Sequence, residues 1–538
     1  MWEKITNDPF ILQAVQGYMI EFDINKFPPR SSKSSFPYKR NSEEFSKINC
    51  EIKSLEQKRV IEKCVHEPGE FISRIFTRPK KNGSVRLILD LSDLNKSVKY
   101  QHFKMDSIHT AMTLLSHGVY MSSVDLQDAY YSIPIHPSSR KFLRFIWNGE
   151  LWQFKALPNG LSSAPRLFTK VLKPALSYLR LQGHSVLAYL DDMLIVGKDS
   201  VAARSATQET ITLLSNLGFL IHPDKSVLDP SFELDFLGFH LNSYNMLITL
   251  PKQKCDDIKE ACMALLHEQM PSIRMVAKVV GKLVAALPAA QYGPLHYRYM
   301  EIDKIRALKR NAGHFDRRMT LSDRAKAELH WWVSHVHSVS NHIYRSKATF
   351  EIRSDASGQG WGATDLTRNA GGRWNAEERN RAATNEINYL EMLAASLGLK
   401  SLCSEVRNTH ILLRLDNTTA VAYLNNMGGV KSKACNEMAL QIWEWCMMRG
   451  IWITASHLAG CRNTEADLLS RRFNDNIEWM LNKSVFAQII EKYGRLDIDL
   501  FASRLNAQLP TYISWMPDPG AWTVDAFTVD FMPSPLSA

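Results

Sequence analysis

The chain has no Cys-x-x-Cys pair among its eight cysteines, no apolar run of membrane-spanning length, no internal repeat and no low-complexity tract. Scattered cysteines, from Cys50 and Cys64 to Cys446 and Cys461, exclude a disulfide scaffold or a zinc module and fit a reducing compartment. The start, Met1-Trp2-Glu3-Lys4, lacks the apolar core of a signal peptide. The expectation is an intracellular protein, cytoplasmic or nuclear, with no membrane role. Hydrophobic content of 45% and charged content of 22% exclude a disordered or fibrous chain. Acid is in deficit, with Asp+Glu 55 against Lys+Arg 65 and a formal net charge of +10. That balance suits a polyanionic partner, because neutralised phosphates release counterions. A mildly basic surface on an ordinary globular protein is the plain alternative.

At 538 residues the chain exceeds a single core, so several domains are expected. Residues 27–48, rich in Pro, Ser and basic side chains, read as an extended segment before a first helix at about 51–64. From Phe71 to about His240 strand-like and helix-like stretches alternate, which predicts an α/β or α+β domain. Apolar residues at spacings of three and four in KCDDIKEACMALLHEQ and RMVAKVVGKLVAALPAA mark helices from about Pro251 to His337. A second strand-rich region begins near Ala348, and the chain becomes irregular after Arg472. The expected division is an extension over 1–70, a first mixed domain over 71–245, helices over 246–347, a second mixed domain over 348–472 and a tail over 473–538.

Two sets of acids stand out. SVLAYLDDMLIVG puts Asp191 and Asp192 inside an apolar stretch, where a hairpin turn is the plain reading. In SVDLQDAYYSIPI, Asp125 ends an apolar run, and a helix N-cap is its plain reading. Together, one acid at a strand end and two at a hairpin tip can meet on neighbouring strands and hold a pair of divalent cations for phosphoryl displacement.

In series with KKNGSVRLILDLSDLN, LPNGLSSAP, GFLIHPDKS and LDFLGFHL, these segments resemble the reverse transcriptase family. The resemblance implies a right-hand polymerase of fingers, palm and thumb. It implies Asp125, Asp191 and Asp192 as metal ligands, with Tyr189 in the nucleotide-facing hairpin. Lys81 or its neighbour Lys80, with Arg86, would bind the incoming triphosphate from a hairpin turning at Asn82-Gly83. Tyr130 would stack under the sugar and exclude a ribose 2′-OH; a core tyrosine is the alternative. Asn159 and Gly160 would lie against nucleotide and template, with Asn159 shorter by a methylene than the glutamine often found there. Lys225 would protonate pyrophosphate, or simply form a salt bridge, and 234–241 would grip the primer.

The second set begins in EIRSDASGQGWGATD, a β-hairpin with Asp355 on its first strand. Glu391 follows on the helix INYLEMLAASLGL, Asp416 at the end of HILLRLD and Asp467 in HLAGCRNTEADLLSR. Solvation, a strand-end turn and a helix N-terminal charge are their plain readings. The four acids, with His457 ahead of the last, resemble the RNase H family, an α/β fold. The resemblance implies a second two-metal centre, His457 on a mobile loop aiding proton transfer or product release, and Asn417 at the hybrid's minor groove.

WEKITNDPFILQAVQGYMIEF, SDASGQGWGA, LRLDNTTAVAYLNNMGG and the segment from DLFASRLN onward resemble DIRS-type retrotransposons, with SPLSA expected to be a truncated end. The resemblance implies an RNA- and DNA-directed DNA polymerase with ribonuclease H. It would use two Mg²⁺ per centre, or Mn²⁺, and take an RNA template, DNA primer, RNA–DNA hybrid, dNTPs and other retroelement proteins as partners. A catalytically silent, co-opted nucleic-acid-binding relic is the alternative, against which the seven retained acids stand.

Overall fold

A computed structural model describes residues 1–26, 43–79, 83, 85–473, 478–494 and 496–530. The chain forms two compact units, residues 1–251 with 340–344, and residues 252–339 with 345–538. Among the described residues, no helix is long and apolar enough to cross a membrane.

In the first unit the N-terminal segment is part of the core. Asp8 accepts the Phe10 N–H at 2.9 Å and starts the helix Pro9–Gly17, which buries Ile11 and Ala14. The next helix runs over Glu43–Gln57 rather than 51–64. Its buried residues Ile48, Ile52 and Leu55 follow helical spacing. That spacing ends at Leu55, Arg59 turns to φ 59, and the Val60 N–H closes on the Leu55 carbonyl at 2.9 Å. The β-branched pair Val60 and Ile61 then enters the strand Ile61–Lys63.

That strand edges a five-stranded sheet continuing through Glu150–Phe154, Arg144–Trp147, Ile72–Pro79 and Val85–Asp90. The last two form the hairpin expected around Gly83, which has φ +80; Lys80, Lys81 and Asn82 lie outside the described residues. A second sheet carries the first three acids. Its order is Val227–Ser231, Tyr120–Gln127, Asp192–Gly197, Ser185–Tyr189, with Leu220–Ile221 also paired to Tyr120–Gln127. Helices Ala164–Leu181 and Ser200–Asn216 pack on it. The segment 234–241 forms a hairpin through Leu237 (φ 50) and Gly238 (φ 74), the positive pair that a two-residue turn with the strands' own twist requires.

In the second unit the helices Lys252–His267, Ile273–Ala286, Arg298–Arg310 and Asp323–His335 pack together. Buried Glu328 accepts the N–H groups of Tyr299 and Met300 at 2.9 and 3.0 Å, the first turn of the third of these helices. Burial nevertheless pushes its carboxyl up to about 8. A five-stranded sheet follows, in the order Asn369–Arg373, Gly360–Thr364, Phe350–Ala356, His410–Leu415, Trp452–His457. The first three strands are antiparallel and the last two join in parallel.

Small residues let helices close on both faces. A Cβ at Gly362 would lie 2.4 Å from the Ala466 carbonyl of the helix Thr464–Arg471. One at Gly398, in the helix Ile387–Leu402, would lie 2.6 Å from Ala363 Cβ. Neighbouring residues on a strand point to opposite faces, so Gly362 and Ala363 each admit one helix.

The tail is ordered against this sheet's edge. Arg504 forks onto Glu378, Nη1 to Oε1 at 3.0 Å and Nη2 to Oε2 at 2.9 Å, and donates to the Arg373 carbonyl at 2.8 Å. Both side chains are largely withdrawn from water. Arg504→Ala would strand Glu378 at a cost of about 3 kcal/mol. Limited proteolysis should then cut within 478–530 much faster than in the native chain, and equal rates would show that this bridge does not hold the tail.

Candidate active sites

The first three acids are brought together by strand register. Asp125 pairs directly with Asp192, and Tyr189 pairs with Asp192 across the hairpin. The turn consists of Leu190, at φ 54, and Asp191, whose carbonyl accepts the Leu126 N–H at 2.9 Å. This bond stitches the tip back to the Asp125 strand. Asp125 is 9% exposed, its Oδ1 accepts no hydrogen bond, and Lys225 Nζ stands 3.6 Å from that oxygen.

Asp192 is pushed up to about 6, by burial first and then by the charges of Asp191 and Asp125. Asp191 is raised by burial and by Asp125, against the pull of Lys225 and Arg86. Three crowded carboxylates with one lysine beside them leave negative charge uncompensated. Such a set, with an orphaned oxygen, fits hard divalent cations.

Beside the acids lies a cleft of about 1060 Å³. Its lining includes Tyr130, Asn159, Asp191, Lys225, Arg78 and Arg86. Burial, then the Asp191 and Tyr189 charges, push the Tyr130 phenol up to about 12, so it stays neutral. Its ring meets Phe168 edge-on at 5.5 Å. Asn159 Nδ2 donates to the Tyr131 hydroxyl at 3.2 Å. Gly160, at φ +110, is fixed by contact, since a Cβ there would lie 2.4 Å from the Leu89 carbonyl. Lys225 forms the ion pair that was the plainer reading of it.

Sequence reading passed over three residues here. Arg78 stands opposite Arg86 in the hairpin register, a costly like-charge pairing that points to an anionic ligand. Asn95 clamps the Asn159 segment, donating to the Gly160 carbonyl and accepting from the Ser162 N–H, both at 2.9 Å. Lys58 holds Asp128 at 2.6 Å on the cleft wall. Arg78 had a signal, its place two residues before the lysines; Asn95 and Lys58 had none beyond residue type.

The second centre forms in the other unit. Arg353 pairs in register with Arg414, so Asp355 and Asp416, each two residues on, leave parallel strands side by side. Glu391 joins them from the helix Ile387–Leu402, and ligand oxygens of the three acids lie within 4.8 Å of one another. Burial first, then Asp355 and Asp416, push Glu391 up to about 9, and its Oε2 has no partner. Asp355 is raised by burial, by Asp416 and by Asp467, while the Ser470 hydroxyl, donating at 2.8 Å, opposes this. Asp467 is more exposed and is bridged to Arg471 at 2.8 Å. Again the donor set, with an unpartnered buried oxygen, fits a hard cation.

His457 is not on a loop. It is the last residue of the strand Trp452–His457, in register with Leu415, and the ladder continues as the Leu458 N–H donates to the Leu415 carbonyl at 2.8 Å. Its side chain is exposed beside the strand end that leads to Asp416. Asn417 caps the helix Thr418–Asn425, accepting from the Ala420 N–H while its Nδ2 donates to Asn388, both at 2.9 Å.

Residues 78–241 match the family described as reverse transcriptase (RNA-dependent DNA polymerase). The Gag-Pol polyprotein of avian reticuloendotheliosis virus is 33% identical over 187 residues, which are 33% of this chain and 16% of that one. The Gag-Pro-Pol polyprotein of squirrel monkey retrovirus is 29% identical over 196 residues, 34% of this chain and 10% of that one. The chain thus spans a small part of the length of these relatives. A foamy viral protease-reverse transcriptase, solved in complex with double-stranded DNA, superposes with a TM-score of 0.51. It is 17% identical, covering 82% of this chain and 73% of that one, and bears out the fold class expected from the sequence. Residues 78–241 are a reverse transcriptase domain of the kind found in retroviral and retroelement Pol polyproteins.

Proposed function

We propose that the protein is an RNA- and DNA-directed DNA polymerase that also hydrolyses the RNA strand of the hybrid it makes. The observation that carries the reading is the pair of carboxylate centres, each with buried, mutually repelling acids and an oxygen lacking any partner. Asp125, Asp191 and Asp192 would hold two Mg²⁺ ions in one, and Asp355, Glu391, Asp416 and Asp467 two in the other; Mn²⁺ would substitute. When bound, such ions stabilise attacking and leaving oxygens in in-line displacement.

The chain's own groups do the rest. Arg86, with Arg78 opposite, faces the triphosphate, joined by Lys80 and Lys81, which lie outside the described residues. Tyr130 presents a neutral ring under the sugar, where a 2′-OH would clash. Asn159, Gly160 and Tyr189 shape the nucleotide and template face, and Lys225 hands a proton to pyrophosphate. In the nuclease, exposed His457 carries protons at the rim, and Asn417 would exchange Asn388 for the hybrid's minor groove. RNA template, DNA primer and dNTPs are the substrates. Within the span 246–347, whose ends are the paired strands Leu247–Thr249 and Ser340–His342, the helices from Lys252 to His335 would serve as thumb and connection, and the quoted motifs support a DIRS-type element.

Primer extension on an RNA template with Mg²⁺ should succeed, and Asp191→Asn with Asp192→Asn should reduce it by more than about a hundredfold, since loss of outer-shell support alone costs 10–100-fold. Normal extension by that double variant would sink the polymerase assignment. Asp416→Asn should stop RNA-strand cleavage by a similar factor while extension persists; joint loss would mean the two activities are not separable.

A third expectation concerns pH. Folded Asp192, at about 6, lies above an unfolded aspartate at about 3.9, so its charge costs stability increasingly as pH rises between those values, and fully above them. Asp192→Asn should therefore raise the melting temperature of the metal-free protein at pH 7 to 8 and leave it nearly unchanged below about pH 4. A lower melting temperature at neutral pH would contradict the repulsion described.

A further inference from the structure

Where the tail meets the edge of the nuclease sheet, the two leave a second cleft of about 320 Å³. That is near the lower end of the range of about 300–1,000 Å³ typical of small-molecule sites. Trp361, Arg373, Arg472, Phe473, Trp515 and Met516 form much of its wall. Trp361 is 1% exposed, yet its indole N–H finds no acceptor. Its counterparts in Trp332, Trp374 and Trp443 donate to the carbonyls of His296, Ser357 and Leu424. A buried donor without a partner costs desolvation energy unless a ligand supplies the acceptor.

The cleft also offers flat apolar surface and charge. Phe473 lies under the Arg373 guanidinium at 4.6 Å, and Trp515 is 61% exposed. Arg504 is held by Glu378, Glu478 accepts the Ser503 hydroxyl, and Asp518 is taken by the Tyr512 hydroxyl and the Arg504 N–H. Arg472 makes no ion pair among the described residues. What stays unmet is one buried donor, one guanidinium and the broad face of Trp515, with the half-buried Phe473 ring in the same wall.

We propose that this cleft binds a nucleotide, with its base on Trp515 and Phe473, an acceptor on the base edge toward Trp361 Nε1, and its phosphate on Arg472. Stacking of this kind tolerates any base, since every base has a π-face. The cleft shares two elements with the nuclease centre. Trp361 pairs with Ala356, the residue after Asp355, and the helix Thr464–Arg471 gives Leu469 to the cleft and Asp467 to the acids. An unpaired nucleotide flanking the hybrid would therefore brace the helix that carries Asp467; this choice of source, and no other step, rests on the nuclease reading above.

The test uses the full chain in EDTA, where neither activity runs. Anisotropy of labelled RNA–DNA hybrids compares a blunt duplex with the same duplex carrying a short single-stranded extension, and AMP is titrated by tryptophan fluorescence. The extension should tighten binding about tenfold. Trp515→Ala and Arg472→Ala should each abolish that gain, and Trp515→Phe should restore it, with melting temperatures unchanged at these exposed positions. AMP binding lost in the same two variants, without any preference for the extension, would support the site and assign it a free nucleotide. Equal binding of blunt and extended hybrids with no AMP response would overturn the proposal. Failure of the enzyme reading would be seen separately, as absent extension and cleavage in Mg²⁺.

Discussion

Repulsion among carboxylates withdrawn from water governs how both halves of this molecule are built. Strand pairing sets Asp125 against Asp192, and the Leu126 bond to the hairpin tip keeps Asp191 within reach of both. Asp191 and Asp192 are held where ionisation is costly, and burial outweighs the few cations nearby. In the second centre the same tension is greater, with Glu391 pushed up to about 9. A fold keeps such groups only where the surrounding framework over-determines them, and here that framework is two β-sheets whose register is fixed by buried faces. Function and local instability are therefore the same arrangement seen from two sides.

The contrast between the two centres is informative. The first is relieved in part by Lys225, at 3.6 Å from Asp125, and by Arg86 acting on Asp191. Around the second, cationic relief comes from Arg471, which is itself engaged by Asp467. On the proposed reading, the first centre would handle a triphosphate and so need movable cations at its rim, whereas the second, acting on a strand already bound elsewhere, would need fewer.

Much of this was legible in the residues. The seven acids stood out because the motifs around them run in a fixed order along the chain, each acid having a plain structural reading on its own. The hairpin at Gly83 was legible from turn chemistry, whereas the one at Leu237-Gly238 was expected only from the resemblance of 234–241 to a primer-gripping hairpin. The helix expected at about 51–64 runs over Glu43–Gln57, because its first turns fall in the polar stretch 27–48 that reads as extended, and the β-branched Val60-Ile61 ends it early. His457 was expected on a loop, since no local signal reveals that the ladder with Leu415 continues to it. Asn95 acts across 65 residues of sequence, and that kind of support leaves no mark on composition. The tail's ordered docking through Arg504 was equally silent, because its partner Glu378 serves at the same time in the capping box of its own helix.

That bridge has a consequence for the making of the protein. Glu378 and Arg504 are 126 residues apart in the chain. At ribosomal rates of about 5–20 residues per second, roughly 6–25 s separate their synthesis. During that interval the strand Asn369–Arg373 is a sheet edge without its cover, and uncovered edges invite pairing with other chains. The tail thus acts as a late-arriving guard on this sheet, since the contacts of Arg504 with Glu378 and Arg373 can form only after the edge strand has been made.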